Sequence, residues 1–121
     1  YNYAQRRKRT LDEENLVIKD ALFIKDMKAF LRVNFKDILY IESAHIYLDI
    51  VAVSGKKYTI RSSFNELMGK LSDRFERVHR SYIINLDYLS GINSGHVMLG
   101  ETEVPVSKAY REKIMKGILK G

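Results

Sequence analysis

Short runs of β-branched and aromatic residues, several alternating with polar residues, dominate the chain from Ala21 onward. Such runs are typical of half-buried strands. Ser54 and Gly55 separate two of them, where a tight hairpin turn needs a residue that tolerates a positive φ. The first half of the chain therefore predicts short strands joined by turns. The runs are ALFIKD, AFLRVN, DILYIE, IYLDIVAV and KKYTIR.

The apolar period then changes to that of a helix. Apolar residues fall at positions i, i+3, i+4 and i+7, which share one helical face; they are Phe64, Leu67, Met68 and Leu71. Ser63 precedes them and Glu66 follows Ser63 at the spacing of a capping box. We therefore expect a short internal helix.

More short strands follow, with turn signals at residues 93–95 and 100–101. A second helix is predicted from Ser107, and its apolar side would consist of Ile114, Met115, Ile118 and Leu119. Together these elements predict a mainly β fold of small packed antiparallel sheets, with one short internal helix and a C-terminal helix.

Residues 1–16 differ from the rest of the chain, because they combine mixed charge with little apolar periodicity. We interpret them as a linker or tail from an upstream region. The start at Tyr1, without a methionine, also suggests that such a region exists. Residues 17–120 are expected to form one domain, since 121 residues are enough for one hydrophobic core and too few for two.

The composition is that of an ordinary globular protein with a basic excess. The chain has 21 basic and 15 acidic residues, a net charge of +6, and the excess is not confined to the run at residues 6–9. Such a balance favours polyanionic partners such as nucleic acid. The absence of cysteine excludes disulfides and thiolate metal sites and fits a reducing, cytoplasmic compartment. No apolar run is long enough to span a membrane.

Catalytic motifs are missing from the sequence. No glycine-rich phosphate loop, nucleophile elbow, calcium loop or pair of carboxylates stands out, and the 3 histidines lie in different segments without a second metal ligand. We therefore expect no enzymatic activity, no metal and no cofactor. A helix-turn-helix is also excluded, because strand-like sequence separates the two predicted helices. If the domain reads DNA, its contacting residues must lie on loops.

Three polar segments lie between apolar strands. In the second of them, His79, Arg80 and Ser81 supply hydrogen-bond donors and have no carboxylate within two residues on either side. The three segments are SAHIY at residues 43–47, VHRSY at residues 78–82 and VSKAY at residues 106–110. They belong to the stretches DILYIESAHIYLDI, RFERVHRSYIINLDYL and EVPVSKAYREKI. In that order they resemble the LytTR family of DNA-binding domains, and the similarity extends over residues 17–119. Members of that family form the C-terminal output domain of many bacterial two-component response regulators.

The resemblance implies a mostly β fold whose loops enter successive major grooves of a promoter that contains direct repeats. It also implies an upstream receiver domain that drives dimerisation on double-stranded DNA and answers to a sensor histidine kinase. The family's base-reading positions correspond to His45, Arg80 and Lys108. By the same resemblance, Ser107 combines helix capping with a phosphate contact, and His79 and Ser81 adjoin the DNA backbone.

Simpler interpretations remain for each of these residues. His45 is also compatible with an ordinary turn residue, Arg80 and Lys108 with solvated charges, and His79 with a partly buried, hydrogen-bonded histidine. Asn85 is expected to be structural, with its amide holding the turn that follows the YII strand. For the whole domain, the alternatives to sequence-specific DNA binding are a non-catalytic protein–protein interaction module and a small RNA-binding domain.

Overall fold

The computed structural model describes residues 15–18, 20–26 and 29–120, most of which lie in short antiparallel strands. One compact unit ends at Asp37 and a second begins at Ile38. The first contains a three-stranded sheet in the order β1-β2-β3, followed by a 3-10 turn at Phe35–Asp37. Its strands are β1 (Asn15–Ile18), β2 (Ala21–Asp26) and β3 (Ala29–Asn34).

The first strand begins earlier than the sequence suggested. Asn15 and Leu16 belong to the predicted linker, but both lie in β1, where they pair with Ile24 and Phe23 of β2. The apolar run at residues 16–18 carries no alternation, so its strand character is not visible without the partner strand. The rest of the predicted linker, residues 1–14, lies outside the described residues.

A five-stranded antiparallel sheet forms the centre of the second unit, in the order β6-β5-β4-β8-β7. Alternation fixes its faces: in β5, Leu48, Ile50 and Ala52 are buried. Gly55 has a φ of 97° in the turn between β5 and β6, as the sequence predicted. The strands are β4 (Ile38–Ala44), β5 (Tyr47–Ala52), β6 (Lys57–Arg61), β7 (Phe75–His79) and β8 (Tyr82–Asn85).

The short internal helix, α1 (Phe64–Met68), follows β6 and begins with the predicted capping box. The Glu66 backbone N–H donates to Ser63 Oγ at 3.2 Å, and the Ser63 N–H donates to Glu66 Oε1 at 3.4 Å. The helix ends before Leu71, although the apolar spacing extended to that residue. Gly69 caps it instead, and its N–H donates to the Leu67 carbonyl.

A second small sheet and the C-terminal helix complete this unit. The sheet has the order β11-β10-β9, and α2 (Lys108–Lys120) follows it. These elements share one hydrophobic cluster with β7 and β8, which places α2 beside the five-stranded sheet. The strands are β9 (Leu89–Ile92), β10 (His96–Leu99) and β11 (Thr102–Pro105). The buried members of the cluster are Val78, Ile84, Val97, Leu99, Val104, Val106 and Ile114.

The mainly β fold with small antiparallel sheets, a short internal helix and a C-terminal helix is thus confirmed. Ile114 lies on the buried side of α2 as expected, whereas the side chains of Ile118 and Leu119 lie outside the described part of the structure. No helix among the described residues is long and apolar enough to cross a membrane.

Candidate functional site

The three polar segments meet at one end of the five-stranded sheet. Because β4 and β8 are antiparallel, the end of β4 lies beside the start of β8. The Ser43 N–H donates to the Ser81 carbonyl at 2.9 Å, so the β4–β5 turn and the β7–β8 turn are direct neighbours. This places the backbones of His45 and Arg80 on adjacent loops.

The start of α2 joins the same end. The Ser107 N–H donates to the Val78 carbonyl at 2.8 Å, which connects the residue before α2 to β7 at the position two residues before Arg80. Ser107 also caps the helix, since its Oγ accepts from the Tyr110 N–H at 3.4 Å and its carbonyl from the Arg111 N–H at 2.8 Å. Lys108, the first residue of α2, is therefore presented beside the β7–β8 turn.

Further contacts fix how α2 is held. Lys113 Nζ lies 3.1 Å from Glu76 Oε2 on β7, and Arg111 Nε donates to the Asn93 carbonyl in the β9–β10 turn at 2.9 Å. Together with the buried Ile114, these contacts connect the helix to both sheets. The position of Lys108 is thus set by a rigid base and not by a free loop.

The β4–β5 turn holds His45 in an unusual backbone conformation. Its φ is 60°, in the left-handed region that favours glycine, and histidine is one of the few other residues enriched there. Ala44 pairs with Tyr47, so the turn consists of His45 and Ile46 alone. His45 is exposed, and Ile46 is 54% exposed beside it. An exposed isoleucine at this tip was not anticipated from the sequence.

At the end of β7, His79 forms a hydrogen bond that holds the β7–β8 turn. Its Nδ1 accepts from the Ser81 N–H at 3.1 Å, and its ring meets the Tyr82 ring edge-on with a centroid distance of 5.6 Å. An Nδ1 that accepts leaves the proton of the neutral ring on Nε2. The half-buried His79 therefore stabilises the turn and retains one N–H donor for a partner, while Arg80 between His79 and Ser81 is exposed.

Arg77 also contacts this turn, although the sequence gave no reason to select it. Its Nη2 donates to the Arg80 carbonyl at 3.0 Å and its Nε to the His79 carbonyl at 3.4 Å. Its Cζ lies 5.0 Å from the centroid of the Phe64 ring in α1. An arginine on a strand normally indicates a solvated face, so only the folded structure identifies its contacts.

The carboxylate of Glu42 lies near this end of the sheet, where it accepts a hydrogen bond from a tyrosine. Tyr82 Oη donates to Glu42 Oε2 at 3.1 Å. Burial raises the pKa of Tyr82, and the hydrogen bond and negative charge of Glu42 raise it further. The pKa of Tyr40 is raised by burial, then by Glu42 and Asp49. Both hydroxyls therefore keep their protons at neutral pH, and Tyr82 remains a donor to Glu42.

The strand register adds one cation that the sequence did not single out. Arg61 ends β6 and pairs with Tyr47, so it lies at the same end of the sheet as the β4–β5 turn. Arg61, Arg80 and Lys108 are all exposed, and none forms an ion pair with another described residue. Unpaired cations beside backbone and hydroxyl donors can bind anionic groups. Among the described residues, no group of three His, Asp or Glu side chains could hold a metal ion.

Comparisons with known proteins identify the family and the fold of this domain. The family model of the LytTr DNA-binding domain matches residues 28–118, a range that contains every site residue discussed above. Sensory transduction protein LytT of Bacillus subtilis (strain 168) is 32% identical over an alignment of 93 positions, and the match covers 69% of this chain and 37% of that protein. The chain therefore spans little more than a third of that relative's length. A solved LytTr DNA-binding domain from Bacillus cereus has a TM-score of 0.72 and 25% identity, covering 84% of this chain and 98% of that chain.

Proposed function

This chain belongs to the LytTR family of DNA-binding domains, and we propose that it reads a specific double-stranded sequence as the output domain of a transcriptional response regulator. The observation that supports sequence reading is the meeting of two turns and a helix start at one end of the sheet. The cations there have no ion-pair partner among the described residues. The family binds DNA and is not a catalytic one, which fits the absence of catalytic motifs.

The proposed division of labour follows from the chemistry of each side chain. Arg80 can donate two parallel hydrogen bonds to guanine O6 and N7 in the major groove, whereas Lys108 donates as a point charge. His45 is the third base contact, on the neighbouring turn. The phosphate contacts are the Nε2 of His79 and the hydroxyls of Ser81 and Ser107. The partial positive charge at the start of α2 also favours an anion beside Ser107.

The partners of the whole protein belong to the same proposal. A domain this small reads few base pairs, so specificity in a genome needs two copies. The family resemblance implies that these copies bind direct repeats. LytT, of which this chain covers 37%, is described as a sensory transduction protein. We propose that this protein acts in the cytoplasm, where an upstream receiver domain, controlled by a sensor histidine kinase, brings two such domains onto a promoter.

A binding titration tests the proposal against its alternatives. Duplexes selected from a random pool are compared with shuffled duplexes and with RNA by fluorescence anisotropy. Preference for the selected duplex supports sequence-specific DNA binding, preference for RNA supports an RNA-binding domain, and no binding at low salt supports a protein–protein module. With three to six phosphate contacts, log K should fall with log salt at a slope of roughly −3 to −5.

Arg61 is expected to contact a phosphate. It lies at the site end of β6, and Lys57 begins the same strand at the opposite end. Arg61→Ala should weaken binding to selected and shuffled duplexes alike and flatten the salt slope by about 1. Lys57→Ala removes the same charge from the far end and should change neither quantity. Equal effects of the two substitutions would mean that only net charge matters.

His45→Gly should separate backbone strain from side-chain function. Glycine adopts a φ of 60° without the penalty of an L side chain, so the free energy of unfolding of the variant, measured by urea unfolding, should be about 1 kcal/mol higher. Its affinity for the selected duplex should nevertheless fall. His45→Ala keeps the strained conformation without the imidazole, so it should lose both stability and affinity. A glycine variant that binds with undiminished selectivity would remove His45 from the interface.

A further inference from the structure

Arg77 occupies a position that connects three parts of the second unit. It lies in β7, and its guanidinium contacts the β7–β8 turn through two hydrogen bonds while covering the Phe64 ring. Phe64 is buried and begins the capped helix α1, so it offers a fixed surface. The guanidinium therefore packs with one face against a fixed aromatic ring and donates to two carbonyl oxygens.

The turn itself is irregular and needs outside support. The β7–β8 register shifts between Arg77 and His79, so the regular pairing of the two strands is interrupted just before the turn. The Ser81 N–H is bound by His79 Nδ1, and the Ser81 carbonyl by the Ser43 N–H. The carbonyls of His79 and Arg80 are bound by Arg77.

We infer that Arg77 is a positioning residue for DNA recognition, which holds the β7–β8 turn in the conformation that presents Arg80 to a base. The inference rests on the proposed function of this site. A planar guanidinium can bind two neighbouring carbonyls at once, and hydrogen bonds from a charged donor are the stronger ones. A turn fixed in advance loses less conformational entropy when Arg80 engages a base pair. Arg77 thus acts on DNA through Arg80.

A double-mutant cycle tests this relation. Affinities for the selected and shuffled duplexes are measured for the protein, Arg77→Ala, Arg80→Ala and the double variant. Arg77→Ala should weaken binding to the selected duplex about tenfold and binding to the shuffled duplex far less. In the Arg80→Ala background the same substitution should have almost no effect, and the salt slope should not change between the protein and Arg77→Ala.

Matched arginine and lysine variants supply the controls. Arg74 lies just before β7, and its Nε is 3.5 Å from Asp87 Oδ2. Arg74→Ala should therefore show no coupling to Arg80. Arg77→Lys keeps the charge but cannot join two carbonyls, so it should restore little selectivity; it also serves if Arg77→Ala does not fold. Equal losses in both Arg80 backgrounds, or a salt slope flatter by about 1 for Arg77→Ala, would overturn the inference, the latter by showing a direct phosphate contact.

The free protein gives a readout that does not depend on DNA. Amide hydrogen exchange at Ser81, followed by NMR, reports whether the turn opens. Arg77→Ala should speed this exchange while leaving the buried core amides protected. If the protein fails to discriminate between duplexes, the proposed function is wrong, and this measurement still decides whether Arg77 holds the turn. Unchanged exchange at Ser81 would overturn the positioning role.

Discussion

Arg80→Ala and Lys108→Ala should each weaken binding to the selected duplex by about 1–3 kcal/mol and leave binding to unrelated duplexes nearly unchanged. The reason lies in what each contact recognises. A base contact is lost only on the sequence that supplies the right acceptors, whereas a phosphate contact is lost on every sequence. Both side chains are exposed at the end of the sheet where the β4–β5 turn, the β7–β8 turn and the start of α2 meet.

Fluorescence anisotropy on both duplexes, at several salt concentrations, measures these effects. Lys56→Ala and Lys57→Ala, in the β5–β6 hairpin at the opposite end of the sheet, should change neither affinity. Arg80→Lys should keep most non-specific affinity but lose discrimination, because a lysine lacks the two-pronged donor geometry that matches guanine. If circular dichroism shows intact folding and both alanine variants lose affinity equally on all duplexes, Arg80 and Lys108 are phosphate contacts.

Local signals account for the parts of the fold that could be predicted from the sequence. The turn at Gly55 and the capping box of Ser63 and Glu66 depend on residues within four positions of each other, and both were found as expected. The helix at residues 64–68 ended earlier than its apolar spacing because Gly69 caps it, which apolar period alone does not reveal.

Strand order, by contrast, was not visible in the sequence. β4 pairs with β8, and a hydrogen bond joins Glu42 to Tyr82 across 40 positions of the chain. This pairing brings the turns of His45 and Arg80 together. Because it joins strands that are far apart in the sequence, the residue pattern did not reveal it, and only the family resemblance grouped the two turns. Arg61 and Arg77 were missed for the same reason, since their neighbours lie on other strands. The roles of all these residues in DNA contact stay predictions.

Asn85→Ala should destabilise the domain by about 2–5 kcal/mol, the largest expected effect on folding. Asn85 is fully buried at 0% exposure; its Nδ2 donates to the Ile38 carbonyl at 2.8 Å and its Oδ1 accepts from the Asp87 N–H at 3.0 Å. Alanine leaves both backbone groups without that partner, and water reaches the carbonyl of the buried Ile38 poorly. The bond to Ile38 connects the end of β8 to the start of β4, and these two strands lead to the turns of the site. The bond to Asp87 holds the turn that follows β8.

Urea unfolding at neutral pH, followed by circular dichroism, gives the change in the free energy of unfolding. Asn93→Ala is the matched control, because Asn93 Oδ1 also accepts from two backbone N–H groups, of Gly95 at 3.0 Å and His96 at 2.7 Å, but is exposed. Water can replace those bonds, so this variant should lose less than about 1 kcal/mol. Equal losses for the two variants would show that turn geometry, and not burial, determines the effect.

Asn85→Asp distinguishes the two hydrogen bonds of this side chain. The introduced carboxylate can still accept from the Asp87 N–H, but it cannot donate to the Ile38 carbonyl unless it is protonated. Burial beside a carbonyl should raise the pKa of the introduced carboxyl above its unfolded value of about 3.9. The folded state then binds the proton more tightly than the unfolded state does. The variant's loss of free energy of unfolding relative to the parent should therefore be smallest below the unfolded pKa, and it should grow as the pH rises through the raised pKa. A deficit that is independent of pH would mean that the bond to Ile38 contributes little, and that the turn at Asp87 carries the stabilisation.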